Sequence, residues 1–335
     1  MKRRFVLTLG VLAGLATTAT AQSSTQSSAC PGGTPGSKAQ VTQDACQKTV
    51  DIFQYMAPQL GGAITGGNAT LGQGGTLGGL GRFTIGLRVN AIQGSVPKIT
   101  EAAVIPVPTG ARASNYNTSD IPLPMPVADA AVGVFAGVPL GLTNVLGVDL
   151  LASASYVPNA EENGVSVTPD NPIKLGYGVR VGLIQESIIT PGVGFTFLKR
   201  DLPILALKGV TSVATFDVTD FDEETTAWRF VAAKSFVFFG LALGIGQDKY
   251  QTSGTATATA TIATLSQTSD AIAVSQEMSR TNVFGDLSFN VPLFRFVLEA
   301  GEITGGAQPT TLNTFAGRNI VASRWYGSIG ARFVW

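Results

Sequence analysis

The chain has 335 residues, and only 13% of them are charged, about half the share usual for a soluble globular protein. Its formal net charge is zero, and removing the three basic residues of a predicted leader leaves 19 basic residues against 22 acidic ones. This balance excludes the basic surface that nucleic-acid binding requires. The chain has no histidine, which excludes catalytic serine–histidine pairs and histidine metal sites. We therefore expect no cofactor, no metal and no enzymatic activity.

Residues 1–21 carry the pattern of a secretory signal peptide. A basic start at residues 2–4 precedes an apolar run at residues 5–16, and small residues at 19–21 match the cleavage motif. We therefore expect the exported chain to begin at Gln22.

Residues 22–80 are predicted to form an N-terminal segment ahead of the strands. Its first part, residues 22–40, is rich in Ser, Gly, Pro and Gln, a composition typical of an extended, mobile arm. Export into an oxidising compartment favours a disulfide between Cys30 and Cys46, the two cysteines of the chain. Such a bond tethers the arm to the next element. A reactive thiol pair is the alternative.

A short amphipathic helix is predicted over residues 42–57. Cys46, Val50 and Phe53 recur at helical spacing, and Pro58 is expected to end the helix. Nothing else in the N-terminal segment can bury this apolar stripe, which indicates that the helix packs against the rest of the protein.

Glycines dominate residues 60–81. A phosphate-binding loop needs its glycines between a strand and a helix, with a Lys-Ser or Lys-Thr pair in the P-loop form, and neither context is present. We interpret the segment as a linker that packs closely against strand backbone. Together with the helix, it is predicted to plug a barrel or to cap its periplasmic mouth.

Residues 82–93 begin the predicted barrel, which spans residues 81–335. Apolar side chains alternate there with Arg82, Arg88 and Asn90, the period-two pattern of a strand between lipid and a polar lumen. Because a closed barrel has no free edge, this strand is expected to pair with the last one. Further strand candidates span residues 130–138, 145–157, 174–184, 192–199, 209–218, 226–234, 237–250, 281–291, 294–303 and 324–335.

The number of strands follows from parity. The candidates number eleven, whereas single-chain bacterial barrels use even numbers, and residues 209–218 fit either a spanning strand or a loop hairpin. No apolar run reaches the roughly 18 residues of a transmembrane helix, while a spanning strand needs only about nine to eleven. The sequence therefore predicts an all-β fold: a transmembrane antiparallel β-barrel of about 12 strands, within a range of about 10 to 14.

Loop lengths predict the orientation of the barrel. Short turns are expected at residues 139–144 and 292–293, and long loops at residues 95–126, 158–172, 251–280 and 305–319. Long loops of such barrels face the outside, so both ends of the barrel sequence are expected on the periplasmic side.

The last predicted strand, residues 324–335, ends on Trp335. Counting back in steps of two, Phe333 and Trp325 lie on the same apolar face, while Arg332 lies on the other. An aromatic terminal residue preceded by apolar residues at alternate positions resembles the C-terminal signal that bacterial outer-membrane β-barrels present to their assembly machinery. The resemblance implies a location in the bacterial outer membrane and binding of that machinery through this strand.

Polar side chains are assigned to the lumen because the apolar ones are assigned to lipid. The predicted pore-lining residues are Arg82, Arg88, Asn90, Asp149, Lys174, Arg180, Asp286, Arg295, Glu299 and Arg332, and a wider set adds Asp217, Arg229 and Arg324. Basic residues predominate, which favours a channel with a mild anion preference, since interior charge tunes selectivity. The alternative is that these charges pair across the lumen and fill a narrow barrel, because isolated charges in a confined site are costly.

The overall plan, an N-terminal segment ahead of a barrel of intermediate size, resembles outer-membrane barrels of the fatty-acid-transporter type in layout alone. No ligand-binding motif matches residue by residue, so no substrate is carried over, and barrel enzymes that depend on histidine are excluded. The sequence favours passive or gated passage of small or hydrophobic solutes, with membrane lipid as the surrounding partner, because barrels of this size lack an open aqueous channel. The alternative is a non-conducting structural or adhesion barrel that displays long extracellular loops.

Overall fold

The computed structural model describes residues 30–101, 104, 110–162 and 164–335. The predicted signal peptide, residues 1–21, lies outside the described residues. Within the described ranges, no helix is both long enough and apolar enough to cross a bilayer.

The described residues form one α-helix, α1 (Lys38–Thr65), a 3-10 turn (Ile99–Glu101) and a set of strands. In chain order, the strands are β1 (Phe83–Pro97), β2 (Asn115–Tyr116), β3 (Thr118–Phe135), β4 (Val138–Leu140), β5 (Thr143–Val145), β6 (Gly147–Tyr156), β7 (Ala160–Glu162), β8 (Val165–Pro169), β9 (Ile173–Ile184), β10 (Gly192–Asp201), β11 (Leu205–Val210), β12 (Ala214–Ser235), β13 (Phe239–Ile262), β14 (Leu265–Thr268), β15 (Ile272–Val291), β16 (Phe294–Thr304), β17 (Thr314–Phe315) and β18 (Arg324–Val334).

Ten strands close into an antiparallel barrel. Hydrogen-bonded neighbours follow the order β1-β3-β6-β9-β10-β12-β13-β15-β16-β18 and return to β1. The first and last barrel strands pair as predicted, with Leu87 opposite Ala331 and Arg88 opposite Gly330. Strands β7, β8, β11 and β14 extend the same sheet outside the barrel. Ten strands is the lower end of the predicted range.

The candidate strand at residues 209–218 is a loop hairpin. It covers the end of β11 and the start of β12, where Gly209 lies opposite Phe216. The ten other candidates coincide with the barrel strands. Their connections alternate between two ends of the barrel, which we call the short-turn end (residues 136–146, 185–191, 236–238 and 292–293) and the long-loop end (residues 98–117, 157–172, 202–213, 263–271 and 305–323). Which end faces the cell exterior stays a prediction.

The last part of the loop expected at residues 95–126 is strand. β3 begins at Thr118, and Pro122, Pro124 and Pro126 occupy alternate positions along it while β1 pairs with it throughout. Alternate residues of a strand direct their N–H groups to the same edge, so three prolines leave one edge without donors and the other intact. Proline is tolerated in a strand at such an edge, which explains why a segment with loop composition is extended here.

Helix α1 continues past Pro58, where the sequence predicted its end. Its N-terminus is capped by the Ser37 hydroxyl, which accepts a hydrogen bond of 3.3 Å from the N–H of Gln40. Nearly every residue from Thr42 to Thr65 is buried, on all faces of the helix rather than along one stripe. The barrel wall surrounds the helix, and packing on every face offsets the roughly 3 kcal/mol that an interior proline costs.

An apolar belt surrounds the barrel. Along β13, the outward side chains of Leu241, Leu243 and Ile245 are exposed, and the first polar outward side chain after them is Gln247. Exposed apolar side chains that alternate with buried polar ones are typical of strands that face hydrocarbon. The protein is therefore a transmembrane β-barrel.

Candidate functional site

Helix α1 and the glycine-rich residues that follow it fill the lumen. At the long-loop end, Lys38 of α1 pairs with Asp270, with Nζ and Oδ1 2.5 Å apart. At the short-turn end, Gly79 packs against Ala136, and a Cβ placed on this glycine would lie 2.9 Å from that of Ala136. Helix α1 and residues 66–81, together called the plug, therefore run through the barrel from one end to the other. The N-terminal segment is a plug rather than a cap, and its helix lies at the long-loop end.

The glycine-rich part of the plug lies directly against the wall. A Cβ placed on Gly74 would lie 2.2 Å from the carbonyl oxygen of Gly192 and 2.6 Å from the backbone nitrogen of Ala233. No side chain fits at this position unless the plug moves away from β10 and β12. Close backbone packing is thus the physical reason for glycine in this segment.

Two contacts fasten α1 at the long-loop end. The predicted disulfide is formed, with the Cα atoms of Cys30 and Cys46 6.0 Å apart. One turn further along, the buried Asp51 carboxylate accepts hydrogen bonds from the backbone N–H and the side-chain amide of Asn313, at 2.8 and 2.7 Å. Burial raises the pKa of Asp51 to about 6, although the amide donors oppose the shift.

Wall carboxylates bind the backbone N–H groups of the plug. The fully buried Asp149 on β6 accepts hydrogen bonds of 3.1 and 3.2 Å from the N–H of Leu77. The same carboxylate accepts two hydrogen bonds from Arg180 on β9, from Nε at 2.9 Å and from Nη2 at 2.5 Å. The ion pair of Asp149 and Arg180 thus joins β6 to β9, and its carboxylate also binds the plug.

A second carboxylate site lies on β15 and β16, where Asp286 and Glu299 face each other. Asp286 accepts a hydrogen bond of 2.8 Å from the N–H of Gly72, and Glu299 accepts one of 2.9 Å from the N–H of Asn68. Both carboxylates are buried. Their lone pairs therefore serve the plug backbone rather than an open passage.

Cationic and amide groups of the wall bind the carbonyl oxygens of the plug. Arg88 donates from Nη1 to the carbonyl of Gly66 at 3.2 Å and pairs through Nε with Asp129 at 2.5 Å. Asn90 donates to the carbonyl of Ala63 at 2.9 Å. Strand β1 thus supplies donors to the last turn of α1 and to the residue that follows it, while Asp129 on β3 pairs with one of these donors.

The short-turn half of the plug has the same kind of contact. Arg332 donates from Nη1 to the carbonyl of Thr70 at 2.9 Å, and Arg295 donates to that of Gly72 at 3.4 Å. Donors and acceptors of the wall thus bind the plug backbone at several positions along its length.

Three predicted lumen residues lie elsewhere. Arg82 precedes β1 and is exposed at the short-turn end, and Lys174 is half-buried at the start of β9. Asp217 is half-buried in the hairpin of β11 and β12. Among the described residues, no group of three His, Cys, Asp or Glu side chains could hold a metal ion.

Several buried charges of the lumen were missed. Asp129, Arg200 and Glu223 lie one to three positions outside the strand boundaries predicted from sequence, so the inward pattern was ended too early. Asp248 lies within a predicted strand at an inward position and pairs with Arg229, their Oδ1 and Nη1 2.5 Å apart. The period-two pattern could have found Asp248, and longer strands were needed for the others.

An apolar cavity of about 50 Å³ lies beside α1 at the long-loop end. Ile52, Phe53 and Met56 of the helix form one side, and the other side includes Val165 and Leu207 of the outer strands β8 and β11. The cavity has almost no polar lining, so it suits hydrocarbon better than water.

The wall beside this region has a free strand edge. β3 pairs with β6 from Val127 to Phe135, and among the described strands its upper part, from Thr118 to Pro126, pairs only with β1. A lipid-facing groove of about 440 Å³ lies at the point where this pairing stops. Tyr156 and Ile173 are among its apolar lining residues, and the inward-facing Val127 also reaches it. We call the unpaired edge and this groove the β3 gap.

Neither a protein-family model nor a curated protein sequence matches the chain. Among solved structures, it is similar to Ail, the attachment invasion locus protein of Yersinia pestis, with a TM-score of 0.29 and 9% identity over 76% of this chain and 99% of that one. The toluene transporter TodX of Pseudomonas putida has a TM-score of 0.31 and 10% identity, over 76% of this chain and 88% of TodX. The monoaromatic hydrocarbon channel CymD has a TM-score of 0.27 and 12% identity, over 82% and 93%. Likeness at this level transfers no ligand and no activity.

Proposed function

We propose that the protein admits small hydrophobic solutes through the β3 gap, from the lipid-facing surface into the apolar region beside α1. The observation that carries the proposal is the unpaired part of β3 from Thr118 to Pro126. Elsewhere, neighbouring strands are joined by backbone hydrogen bonds that a solute would have to break. At the gap, three prolines remove the donors from the edge, so separating the wall there costs no hydrogen bond from them.

Apolar surface on both sides of the gap supports this route. Outside, the groove is lined by residues such as Leu87 and Tyr156, and inside, Leu123 and Met125 belong to or pack against the same apolar core as α1. An apolar solute gains about 25 cal/mol for each Å² that leaves water, and it keeps that gain along the whole path. The cavity of about 50 Å³ is smaller than an aromatic hydrocarbon, so entry requires a local movement of the plug or of β8. Passage is therefore gated.

The contacts of the plug argue against a water-filled pore. Interior charges such as Arg88, Asp149 and Arg180 have partners in the wall or in the plug. These contacts support the hypothesis that lumen charges pair and fill the barrel, rather than the hypothesis of an anion-selective channel. A solute that travels beside the plug needs no ion path.

A crosslink across the β3 gap tests the route. Continuing the β3–β6 register by one pair places Pro126 beside Tyr156, so the double variant P126C/Y156C can be joined by a short bismaleimide while the native disulfide stays intact. Cells that express this variant are expected to take up the hydrophobic probe N-phenyl-1-naphthylamine faster than cells without the protein. Crosslinking is expected to bring uptake down to the level of cells without the protein.

The matched control is the double variant A128C/A154C, whose residues already lie opposite each other in paired strands and point toward lipid. Crosslinking at this position is expected to leave uptake unchanged. Equal uptake by the crosslinked and uncrosslinked P126C/Y156C protein would rule out the gap as the route.

A sealed barrel that displays its outer strands is the second candidate function. It is favoured by the length of β12, β13 and β15, which have 22, 24 and 20 residues, whereas about nine to eleven suffice to span the membrane. The surplus forms a sheet that projects from the long-loop end. Absence of probe uptake in every variant, from protein shown to be folded, would favour this function.

A further inference from the structure

Apolar side chains occupy the tips of the turns at the short-turn end. Ile188 is 96% exposed, Val237 82% and Leu142 78%, and each belongs to a different turn. Within the four turns that define this end, Glu186 is the sole charged residue. A surface that faces water at the rim of a barrel is expected to be polar, so this end does not have the composition of an aqueous rim.

The height of the apolar belt includes these tips. On β13, eight strand steps separate Phe239 from Gln247, the first polar outward side chain. At about 3.3 Å per residue and a tilt of about 40°, these steps cover about 20 Å along the membrane normal, so a lipid-facing band of the usual height of about 25 Å extends into the turn. On β10, seven strand steps separate Gly192 from the outward Lys199 and cover about 18 Å. A band that began above the tips would place both polar side chains in hydrocarbon.

Hydrogen bonds from within the protein also pair several backbone carbonyls of the turns. Lys234 donates from Nζ to the carbonyls of Ser187, Ile188 and Thr190, the last two at 3.0 and 3.4 Å, and lies 4.0 Å from Glu186. The side chain of Lys234 thus provides hydrogen bonds to three backbone carbonyls of this turn.

Backbone carbonyls of neighbouring turns also accept hydrogen bonds from within the protein. Asn290 donates its backbone N–H to the carbonyl of Phe238 at 2.8 Å and its side-chain amide to that of Phe236 at 3.4 Å. Asn144 donates its side-chain amide to the carbonyl of Ala136 at 3.3 Å. Irregular backbone that is exposed to lipid is excluded from hydrocarbon, so the backbone of these turns is expected at the boundary of the hydrocarbon, where paired carbonyls lower the cost of leaving water.

We propose that the short-turn end is inserted in the membrane, with the apolar side chains of its tips in the hydrocarbon of the nearer lipid leaflet and the turn backbone at the boundary of that hydrocarbon, rather than in the aqueous compartment. The surface is continuous with the apolar belt, which identifies lipid as its partner in preference to a second protein. Arg82 is exposed at this end, where its long side chain can reach the lipid phosphates while its stem stays among apolar tips.

Site-directed spin labelling tests the depth of the tips. Single variants Ile188→Cys and Val237→Cys carry a nitroxide in protein refolded into phosphatidylcholine vesicles, where no protein partner is present. Accessibility to oxygen, which concentrates in hydrocarbon, is compared with accessibility to a water-soluble nickel chelate. Leu243→Cys in the middle of the belt and Thr264→Cys in the exposed turn before β14 are the matched references.

Both tip labels are expected to favour oxygen over nickel, as the label at residue 243 does, with at least a several-fold lower nickel accessibility than at residue 264. Nickel accessibility at either tip equal to that at residue 264 would overturn the proposal. Two tips on separate turns keep the test decisive if one labelled variant does not refold, and Leu142→Cys supplies a third.

Discussion

Replacing Asp149 with a neutral residue tests whether its charge holds the plug or only lines the wall. The carboxylate is fully buried, binds Arg180 through two hydrogen bonds and accepts the N–H of Leu77. Asp149→Asn leaves the buried guanidinium without its counter-charge, a change that costs about 3 to 5 kcal/mol in other buried pairs. Loss of the charge from the acceptor of the plug N–H adds about 1 kcal/mol. We therefore expect a loss of about 4 to 6 kcal/mol in the free energy of unfolding.

The assay is urea unfolding of the protein refolded in vesicles, with the double variant Asp149→Leu/Arg180→Met as the control. Replacing both partners by apolar side chains leaves no unpaired charge, so the double variant should lie within about 1 to 2 kcal/mol of wild type. A loss below about 1 kcal/mol for Asp149→Asn would show that water still reaches this pair, and it would refute the account of a filled lumen.

Three further changes test other parts of the plug. Gly74→Val places a side chain where even a Cβ would lie 2.2 Å from the Gly192 carbonyl oxygen, so it should lower the free energy of unfolding by about 3 kcal/mol. The control Gly327→Ala should stay close to wild type, because the nearest atom to its added Cβ is 3.7 Å away. Because the pKa of Asp51 is raised, its contribution to stability is complete below about pH 3.8 and is lost as pH rises through about 6. Over that window, wild type should lose up to about 3 kcal/mol in the free energy of unfolding relative to Asp51→Asn. Urea unfolding at each pH measures this difference. Reduction of the N-terminal disulfide opens a link between residues 16 apart, which removes about 3 kcal/mol from the docking of the arm and should speed its proteolysis while the barrel stays intact.

The barrel could be predicted from sequence because its strands repeat one simple pattern. Outward apolar and inward polar side chains alternate at a period that only a strand produces, and the ends of the pattern at Phe83 and Trp335 meet in a backbone pairing that closes the wall. The strand number was overestimated because residues 209–218 alternate equally well in a hairpin beyond the membrane. Period alone does not distinguish a strand in lipid from a strand in water.

Composition gave the wrong prediction for prolines in two places. Pro58 was expected to end α1, but packing from all sides maintains the helix through it. The prolines of β3 suggested a loop, but an edge without a partner tolerates them. In both cases the tertiary surroundings of the prolines determine the local structure, and the local sequence does not contain that information.

Alternation predicted the inward position of part of the candidate site but not the contacts that its residues make. The inward position of Arg88, Asp149 and Glu299 follows from alternation, yet their role in binding the plug depends on contacts with plug residues that are 22 to 231 positions away in sequence. The glycine content of that segment indicated close packing but not its partner. Recognition of the last strand by the assembly machinery, and cleavage after residue 21, remain predictions.

The most direct test of the account measures two properties of the intact protein. One is ion conductance in a planar bilayer, and the other is the rate at which N-phenyl-1-naphthylamine enters cells whose outer membrane contains the protein. A filled lumen with a lateral route for hydrophobic solutes predicts faster probe uptake without stepwise ion conductance. Stable conductance steps from the intact protein, with probe uptake no faster than in membrane that lacks it, would contradict the account and indicate a water-filled pore.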